Sequence, residues 1–373
     1  MLPFASFTLD HFRGLAGLSL AELGRINILV GANNSGKSSV LEAIELACDP
    51  LEPWSWLNVA DQRDTHSNAV DRIDNVLWMF PQTLAGDGHS HPIHLSFSGS
   101  TAFVALSATV DIKLTTTDAN EIEYQYDLGR KGLVGTGRVV PRSRRVLSLH
   151  ASAASRENPS RSEKITGILL TEGEPYVAQE RKRSKLRTPC ASIAPLSHRT
   201  RSIHAERLSS AKESGLVGEA VALLQQFDPD IQDLDILARQ GTFADLRIRH
   251  KTLGLAPLNA FGDGMRRALL YALTVPQVRG GVLLIDEIES AIHVKALGGV
   301  FAWLTRACTQ FDVQLFASTH SLEALESLLG DDPEATARVV GYHLPNRSSE
   351  TTVTRYEGEL LARLVRDRGL DVR

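Results

Sequence analysis

The sequence has few cysteines and no long apolar segment. Its three cysteines, Cys48, Cys190 and Cys308, are far apart and form no C-x-x-C pair. This pattern favours neither a disulfide framework nor a zinc site and predicts a reducing, cytoplasmic location. No run approaches the roughly 18 apolar residues of a membrane span, and the first residues show no signal-peptide pattern. We therefore expect a chain without membrane segments or secretion signal.

Residues 31–39, GANNSGKSS, contain the pattern G-x-x-x-x-G-K-[ST], which joins a strand to a helix around phosphate groups. The apolar residues 26–30 predict a buried strand before it, and apolar residues at helical spacing follow. Gly31 and Gly36 allow backbone N–H groups to face phosphate oxygens, Lys37 would reach the β- and γ-phosphates, and the Ser38 hydroxyl would hold Mg²⁺. The predicted nucleotide contacts of this phosphate loop are Gly31, Asn33, Asn34, Ser35, Gly36, Lys37, Ser38 and Ser39.

Two short strands are predicted before the phosphate loop, in residues 4–12 and 18–20, with a turn at residues 13–15. Arg13 lies in this turn, close in sequence to the nucleotide strand. It is a candidate for contact with a phosphate or a base, and a solvated turn arginine explains it equally well.

Two later apolar strands end in residues that suit phosphate chemistry. Residues 281–289, GVLLIDEIE, predict a buried strand that ends at Asp286, which would join the Mg²⁺ shell, and Glu287, which would orient and deprotonate an attacking water. Residues 313–317 predict another strand, followed by STHS. His320 in this tetrapeptide would bond the γ-phosphate or the water. A lone histidine is usually structural, but three strand ends meeting at one ligand favour the functional interpretation.

Residues 259–273, NAFGDGMRRALLYAL, predict a helix that begins at a Gly-Asp-Gly turn. The turn consists of Gly262, Asp263 and Gly264, and we call it the signature turn. By itself it is an ordinary helix cap. Its position directly before the acidic strand makes it a candidate for a second anion site that faces outward.

The middle of the chain combines predicted strands with a basic region. Polar and apolar residues alternate from 93 to 126, which predicts antiparallel strands in a meander. Between Arg130 and Arg207, seventeen Lys/Arg face six Asp/Glu, although the whole chain carries a formal charge of −4. Residues 130–190 have the weakest structural pattern, with one candidate hairpin between ITGILL and EPYVAQ.

The basic region is predicted to meet an anionic partner. Duplex DNA contacted through its phosphates is one alternative, and an acidic protein partner or a solvated loop without a role are the others. Tyr176 is the one aromatic residue between 130 and 190, which disfavours base stacking on single strands. The residues predicted to contact DNA are Arg142, Arg144, Arg145, Arg181, Lys182, Arg183 and Lys185.

The motifs GANNSGKS, FGDGMRR, LLIDEIESAIH and ASTHS, in this order, resemble those of ABC-type ATPases of the OLD-like, AAA ATP-binding-cassette family. They are also similar to the heads of RecF and SMC proteins. The resemblance covers the whole chain. It implies an α/β fold of the P-loop NTPase class, namely an ABC-type ATPase head with a mixed sheet, an antiparallel β subdomain and an inserted basic, helical segment.

The resemblance also implies ligands and partners. ATP and Mg²⁺ would bind, and slow hydrolysis would yield ADP and phosphate. Two copies, or a higher homo-oligomer, would enclose two ATP molecules, and Gly262, Asp263 and Gly264 would contact the γ-phosphate held by the other subunit. Lys37, Glu287 and His320 would be the catalytic residues, with Ser38 and Asp286 at the metal.

Some residues depart from the family pattern. Ala260 and Phe261 precede the signature turn in place of Leu-Ser, and the segment after Glu287 lacks the Leu-Asp of RecF and SMC heads, which favours the OLD-like branch. Gln62 and Gln82 are both available for a glutamine loop, and neither is assigned. The chain has no room for a long coiled coil or a C-terminal TOPRIM nuclease, so an effector on a separate chain is expected.

These observations predict three parts. Residues 1–130 form the N-terminal half of the ATPase head, residues 131–210 a basic insertion, and residues 211–373 the C-terminal half. The predicted function is a dimerising Mg-ATP switch, linked to DNA or to a separate nuclease or toxin in phage defence. The alternatives are a RecF- or SMC-like DNA repair ATPase and a regulatory scaffold whose basic segment docks a protein. The early phosphate loop disfavours a transporter subunit, and the signature turn with the STHS histidine disfavours a small-molecule kinase.

Overall fold

The computed structural model describes residues 1–63, 72–81, 91–117, 122–127, 132–139, 142–159, 162–171, 174–176, 187–200, 205–213, 215–237, 245–330, 333–345 and 352–366. The strands are β1 (Ser6–Phe12), β2 (Leu15–Leu20), β3 (Ile26–Val30), β4 (Ile93–Ser98), β5 (Phe103–Thr117), β6 (Ile122–Asp127), β7 (Gly132–Val139), β8 (Arg142–Ser155), β9 (Ser162–Thr171), β10 (Glu174–Tyr176), β11 (Cys190–Ile193), β12 (Ile231–Leu237), β13 (Asp245–His250), β14 (Gly254–Pro257), β15 (Val282–Ile285), β16 (Gln314–Thr319), β17 (Val339–His343) and β18 (Thr354–Glu357). The helices are α1 (Lys37–Cys48), α2 (Pro53–Asp61), α3 (Arg72–Leu77), α4 (Ser197–Thr200), α5 (Ala205–Glu213), α6 (Val217–Leu224), α7 (Asp263–Thr274), α8 (Val294–Gln310), α9 (Leu322–Leu329), α10 (Pro333–Ala337) and α11 (Gly358–Arg366). Among the described residues, no helix is both long and apolar enough to cross a membrane.

One mixed sheet carries the predicted site. Its strand order is β11-β15-β16-β3-β17-β18, with the first five strands parallel and β18 antiparallel at the edge. Parallel strands place their carboxyl ends at one edge of the sheet, where ligands bind. The residues that follow β3, β15 and β16 therefore share this edge. The predicted mixed α/β fold is confirmed.

Alternate residues of the parallel strands face two separate cores. In β3, Ile26, Ile28 and Val30 belong to the core that also contains side chains of α6, α7, α8 and α9. Leu29 faces the other core, which is built from α1, α2 and the antiparallel strands. Each fully buried Leu, Ile or Val side chain contributes about 1.5–3 kcal/mol to the free energy of folding, relative to an exposed one. Burial on both faces explains why these strands read as continuous apolar runs.

A second sheet has the order β10-β9-β8-β5-β4-β1-β2, with antiparallel pairing throughout. The structure confirms the strands predicted near the N-terminus and the hairpin of β9 and β10. The predicted meander is confirmed for β4 and β5 but was wrong for β6, which pairs with β7 while β5 pairs with β8. Residues 130–190 have the weakest structural pattern in the sequence and were predicted to form no strand at the position of β8, which was wrong. Its alternate residues Leu147, Leu149, Ala151 and Ala153 are buried, but the arginines that begin the strand and the serines within it obscured this period. Smaller sheets pair β12-β13-β14 and β6-β7.

Residues from the predicted basic insertion enter both large sheets, because β8–β10 extend the antiparallel sheet and β11 pairs with β15. The division into three parts stays a prediction. Of the predicted DNA contacts, Arg142 and Arg144 lie on β8, and Arg145 donates from Nη1 to Oδ1 of Asp74 at 2.9 Å. The remaining four lie outside the described residues, namely Arg181, Lys182, Arg183 and Lys185.

Candidate nucleotide site

The phosphate loop opens onto a cavity of about 320 Å³ at the carboxyl edge of the mixed sheet. Arg13 and Glu287 also line this cavity, as predicted contacts of a bound nucleotide must. Gly31 lies at the start of the loop. The lining residues from the loop itself are Asn33, Asn34, Ser35, Gly36, Lys37, Ser38 and Ser39.

The loop backbone takes conformations that its residues suit. Gly36 has φ +98°, and a Cβ there would lie 2.4 Å from Cδ2 of Leu15, so only glycine fits. Asn34 adopts a left-handed φ of 65°, which asparagine tolerates better than most residues. α1 begins at Lys37 without a side-chain cap, and the buried Ser35 hydroxyl has no hydrogen-bond partner within the described part of the chain. Free N–H groups and an unpaired hydroxyl suit a phosphate ligand.

Lys37 is held within the loop. Its ammonium group donates to the carbonyl oxygens of Gly31 and Ala32, each at 2.8 Å. Burial lowers the pKa of Lys37, and the carboxylates of Asp286 and Glu287 oppose this shift. The cation is thus positioned by main-chain oxygens, and carboxylates at the cavity favour its charged form.

A hydroxyl and carboxylate cluster joins the three predicted loops. The Ser38 hydroxyl donates to Oδ2 of Asp286 at 2.8 Å, and the Ser318 hydroxyl donates to Oδ1 of the same carboxylate. The main-chain N–H of Glu287 donates to the Ser318 hydroxyl at 2.8 Å. Hydroxyl and carboxylate oxygens are the ligands that Mg²⁺ prefers, so Ser38 and Asp286 fit the metal role. Ser318 was not predicted, although it belongs to the STHS tetrapeptide.

Glu287 lines the cavity from an unusual backbone conformation. Its φ is 47°, in the left-handed region that non-glycine residues rarely occupy. Such a residue costs on the order of 1–3 kcal/mol and persists only where the surrounding structure holds it. The proposed general base therefore occupies a backbone position that the fold has to stabilise.

Two arginines share one buried carboxylate beside the phosphate loop. Nε of Arg13 donates to Oε2 of Glu42 at 2.6 Å, and Nε of Arg63 donates to Oε1 at 2.6 Å. Arg63 also donates to the Ser39 hydroxyl at 2.9 Å, and both arginines line the cavity. Burial lowers the pKa of Arg13, and Glu42 opposes this shift. Arg13 is therefore not a solvated turn residue.

Arg63 was not predicted as a site residue. It directly follows Gln62, one of the two candidates for a glutamine loop. Gln62 itself donates to Oε2 of Glu45 at 2.8 Å, and Gln82 lies outside the described residues. The only signal in the sequence was thus the neighbouring glutamine.

His320 does not line the cavity. It lies directly after β16, where its Nδ1 is 3.5 Å from Oε1 of Glu289, and its side chain is 46% exposed. The predicted contact of His320 with a phosphate or water stays a prediction.

The signature turn lies at the start of α7 and does not line the cavity either. Gly262 is the N-cap, and a Cβ on Gly264 would lie 2.8 Å from the carbonyl oxygen of Ala291. Gly264 therefore permits the close approach of α7 to the segment after Glu287. Its role toward a phosphate of another subunit stays a prediction.

The Asp263 carboxylate of the signature turn is surrounded by positive groups. It accepts from Nε of Arg199 at 2.8 Å and from Nη1 of Arg266 at 3.1 Å. The hydrogen bond from Arg199 is the main cause that lowers the pKa of Asp263. His198 is 2% exposed, and its Nε2 lies 3.7 Å from Oδ1 of Asp263. Neither of its ring nitrogens has a hydrogen-bond partner among the described residues. The carboxylate of the turn is thus neutralised, and the two arginines together with Asp263 leave net positive charge beside the turn.

The fold and this edge of the sheet define a protein with a P-loop NTPase fold. Residues 26–326 match the family described as "AAA domain, putative AbiEii toxin, Type IV TA system". Because the match spans most of the chain, the protein belongs to this family.

Two relatives and two solved structures are similar to the chain. The uncharacterized proteins MJECL11 and MJECL10 of Methanocaldococcus jannaschii are 38% identical over 68 residues and 47% identical over 47 residues, or 18% and 13% of this chain. These matches span 60% and 22% of the two relatives. The fold is similar to an SmcHead bound to the C-winged helix domain of ScpA, with TM-score 0.50, 11% identity and coverage of 95% of this chain and 98% of that chain. It is also similar to a Smc head with an extended coiled coil bound to the C-terminal domain of ScpA from Pyrococcus furiosus, with TM-score 0.50, 10% identity and coverage of 99% and 100%.

Proposed function

We propose that the chain is a slow ATPase that acts as a switch, closing as a homodimer on Mg-ATP and reopening after hydrolysis. The observation that carries this proposal is the cluster at the carboxyl edge of the sheet. Lys37, Ser38, Asp286 and Glu287, contributed by two separate loops, adjoin one cavity beside an unpaired α1 N-terminus. Phosphate binding, metal binding and water activation each have suitable groups there.

The residues divide the chemistry between them. Lys37 and the α1 N-terminus bind and orient the β- and γ-phosphates, and Arg13 and Arg63 add positive charge at the cavity. Ser38 and Asp286 would hold Mg²⁺, which would neutralise negative charge on the phosphates. The Glu287 carboxylate takes a proton from water as the water oxygen bonds to the γ-phosphorus and the bond to the β-phosphate oxygen breaks. The products are ADP and phosphate.

The signature turn supports closure as a dimer. It presents a helix N-terminus and net positive charge outside the cavity of its own chain. Two segments contact the turn, through Arg199 and through the carbonyl of Ala291. The first exposes Leu196 and the second exposes Val294, which is 57% exposed. Apolar residues around a positive turn suit a second copy that brings a bound nucleotide.

The first experiment measures steady-state ATP hydrolysis by the purified protein, with and without duplex DNA. Lys37→Ala is the blank, and Lys212→Ala, an exposed lysine on α5, is the matched control. Hydrolysis equal to the blank in every condition contradicts the proposed activity. The solution mass of Glu287→Gln with Mg-ATP tests closure, and a mass that does not respond to nucleotide contradicts the dimer.

The output of the switch is proposed to be DNA-linked, through a separate nuclease or toxin in phage defence, as the resemblance to OLD-like proteins implies. The excess of Lys/Arg between Arg130 and Arg207 is the observation that favours it. Neutralising Arg181, Lys182, Arg183 and Lys185 should weaken DNA binding and flatten its salt dependence. An ATPase rate that does not respond to DNA would instead favour a protein partner or a DNA-independent scaffold.

A further inference from the structure

Arg267 on α7 is a fully buried cation, with 0% exposure, whose hydrogen bonds go to no carboxylate. Nε donates to the Tyr271 hydroxyl at 2.6 Å, and Nη1 donates to the carbonyls of Ala194 and Pro195 at 3.1 and 2.6 Å. Nη2 donates to the carbonyls of Asp286 and Glu287 at 2.9 and 2.8 Å. A guanidinium has five N–H donors, and here all five are used.

These bonds join α7 to the loop that carries the predicted catalytic acids. The Tyr271 hydroxyl, one turn further along α7, donates to the carbonyl of Ile288 at 3.0 Å. Three consecutive carbonyls, from Asp286 to Ile288, are therefore bound by two side chains of one helix. These three hydrogen bonds fix the position of the loop relative to α7 and the orientation of its peptide groups.

Glu287 is the residue that this contact holds. Its φ of 47° is unfavourable, and its main-chain N–H and C=O are both bound, by the Ser318 hydroxyl and by Arg267. Bonds to a charged donor are roughly twice as strong as neutral ones. Arg267 thus stabilises the conformation that places the Glu287 carboxylate at the cavity.

We propose that Arg267 is a positioning residue that sets the direction of Glu287 and couples it to the signature turn. The turn begins the helix that carries Arg267, so a ligand that displaces the first turn of α7 also moves the donor that holds Glu287. The effect on turnover rests on the proposed function, whereas the structural contact does not.

Arg267→Lys tests the inference with the charge kept and the planar set of five donors lost. Tyr271→Phe is the milder variant, because it removes one acceptor and the bond to Ile288. Arg306→Lys, on the exposed face of α8, is the matched control. We expect kcat to fall 10- to 100-fold in Arg267→Lys, as about 1 Å of misplacement does, with the Kd for Mg-ATP within about threefold of wild type.

A double-mutant cycle separates positioning from general stability. If Arg267 acts through Glu287, Arg267→Lys adds no further loss of kcat in a Glu287→Gln background. Rate losses that multiply, together with a weakened Kd and a lowered Tm, would show a merely structural role and overturn the inference.

Hydrogen exchange gives a readout that needs no hydrolysis. Amides of residues 286–292 should exchange faster in Arg267→Lys and Tyr271→Phe, with residues 31–38 unchanged. Unaltered exchange of residues 286–292 in both variants would overturn the inference. If wild type hydrolyses no more ATP than Lys37→Ala, the proposed ATPase is wrong, and the exchange result still decides whether Arg267 holds the loop.

Discussion

The phosphate loop and the signature turn both place a helix N-terminus where an anion can bind, but only the first is enclosed. The phosphate loop lies in a cavity with Arg13, Arg63 and Glu287 on its walls. The signature turn does not line this cavity, and its own Asp263 already binds Arg199 and Arg266. The first arrangement gathers its groups around a cavity of one chain, whereas the second presents its groups outside that cavity.

The difference matters because walls exclude water and strengthen electrostatic interactions. An anion at the exposed signature turn competes with Asp263 for the same two arginines. Binding of the anion is therefore favourable only when another surface also contributes contacts, which is the situation at a subunit interface. The comparison leads to four experiments, ordered here by the size of the expected effect.

Lys37→Ala should have the largest effect, because it removes the ammonium group that two loop carbonyls position in the cavity. We expect ATP hydrolysis to fall by at least ~100-fold, as for loss of one preorganised donor to a reacting group. Radiolabelled phosphate release measures the rate. A rate close to that of Lys212→Ala would mean that the cavity is not the site of hydrolysis.

Asp263→Asn should strengthen nucleotide-dependent dimerisation. Arg199 and Arg266 would then be free of the competing carboxylate, and we expect the dimer to tighten about tenfold, or about 1.4 kcal/mol. The monomer's affinity for nucleotide should not change, because Asp263 does not line the cavity. Analytical ultracentrifugation with Mg-ATP at a series of protein concentrations measures the dimer Kd. A weaker dimer would show that Asp263 itself makes a needed contact.

Gly264→Ala should destabilise the protein by about 1–3 kcal/mol, since its Cβ would lie 2.8 Å from the carbonyl of Ala291. Gly298→Ala on α8 is the control, because a Cβ there meets nothing, and the change should stabilise by about 0.5–1 kcal/mol. Thermal unfolding measures both. Equal Tm values for the two variants would contradict the close approach of α7 to the loop after Glu287.

His198 should make stability depend on pH. Burial, and next Arg267, lower the pKa of His198, with Asp263 opposing. The folded state therefore keeps the ring neutral, while the unfolded chain binds a proton below about pH 6.5. Stability then falls as pH decreases, by at most about 1.4 kcal/mol per pH unit for one proton.

His198→Leu should remove that part of the pH dependence. Urea unfolding of wild type and variant at about pH 7.5 and 5.5 compares the two free energies of unfolding. If both proteins lose the same stability on acidification, the buried neutral ring is not its cause.

Local pattern was sufficient to predict the phosphate loop, the acidic strand and the helix after the signature turn. Each combines a short motif with an apolar element of clear period, as in residues 31–39 and 282–287. Arg63 and Ser318 were missed because their partners, Glu42 and Asp286, are 21 and 32 positions away. β8 was missed because its period was hidden among arginines and serines.

Cysteines show the same limit. Cys48 and Cys190 are far apart in the sequence. A hydrogen bond with Cys48, together with burial, nevertheless raises the pKa of the Cys190 thiol well above its usual value. Nothing in the spacing of three isolated cysteines predicts this pair, because it depends on β11 joining the sheet beside α1.

The sequence by itself determined that a strand, a glycine-rich loop and a helix would form a phosphate site, because these preferences act over a few neighbouring residues. Only the tertiary structure decided which residues complete the site. The parallel order β15-β16-β3 brings Asp286, Ser318 and Ser38 together, and the packing of α7 buries Arg267 against the carbonyls of Asp286 and Glu287. These contacts depend on which strands become neighbours and on how the helices pack against them, and no local pattern encodes either.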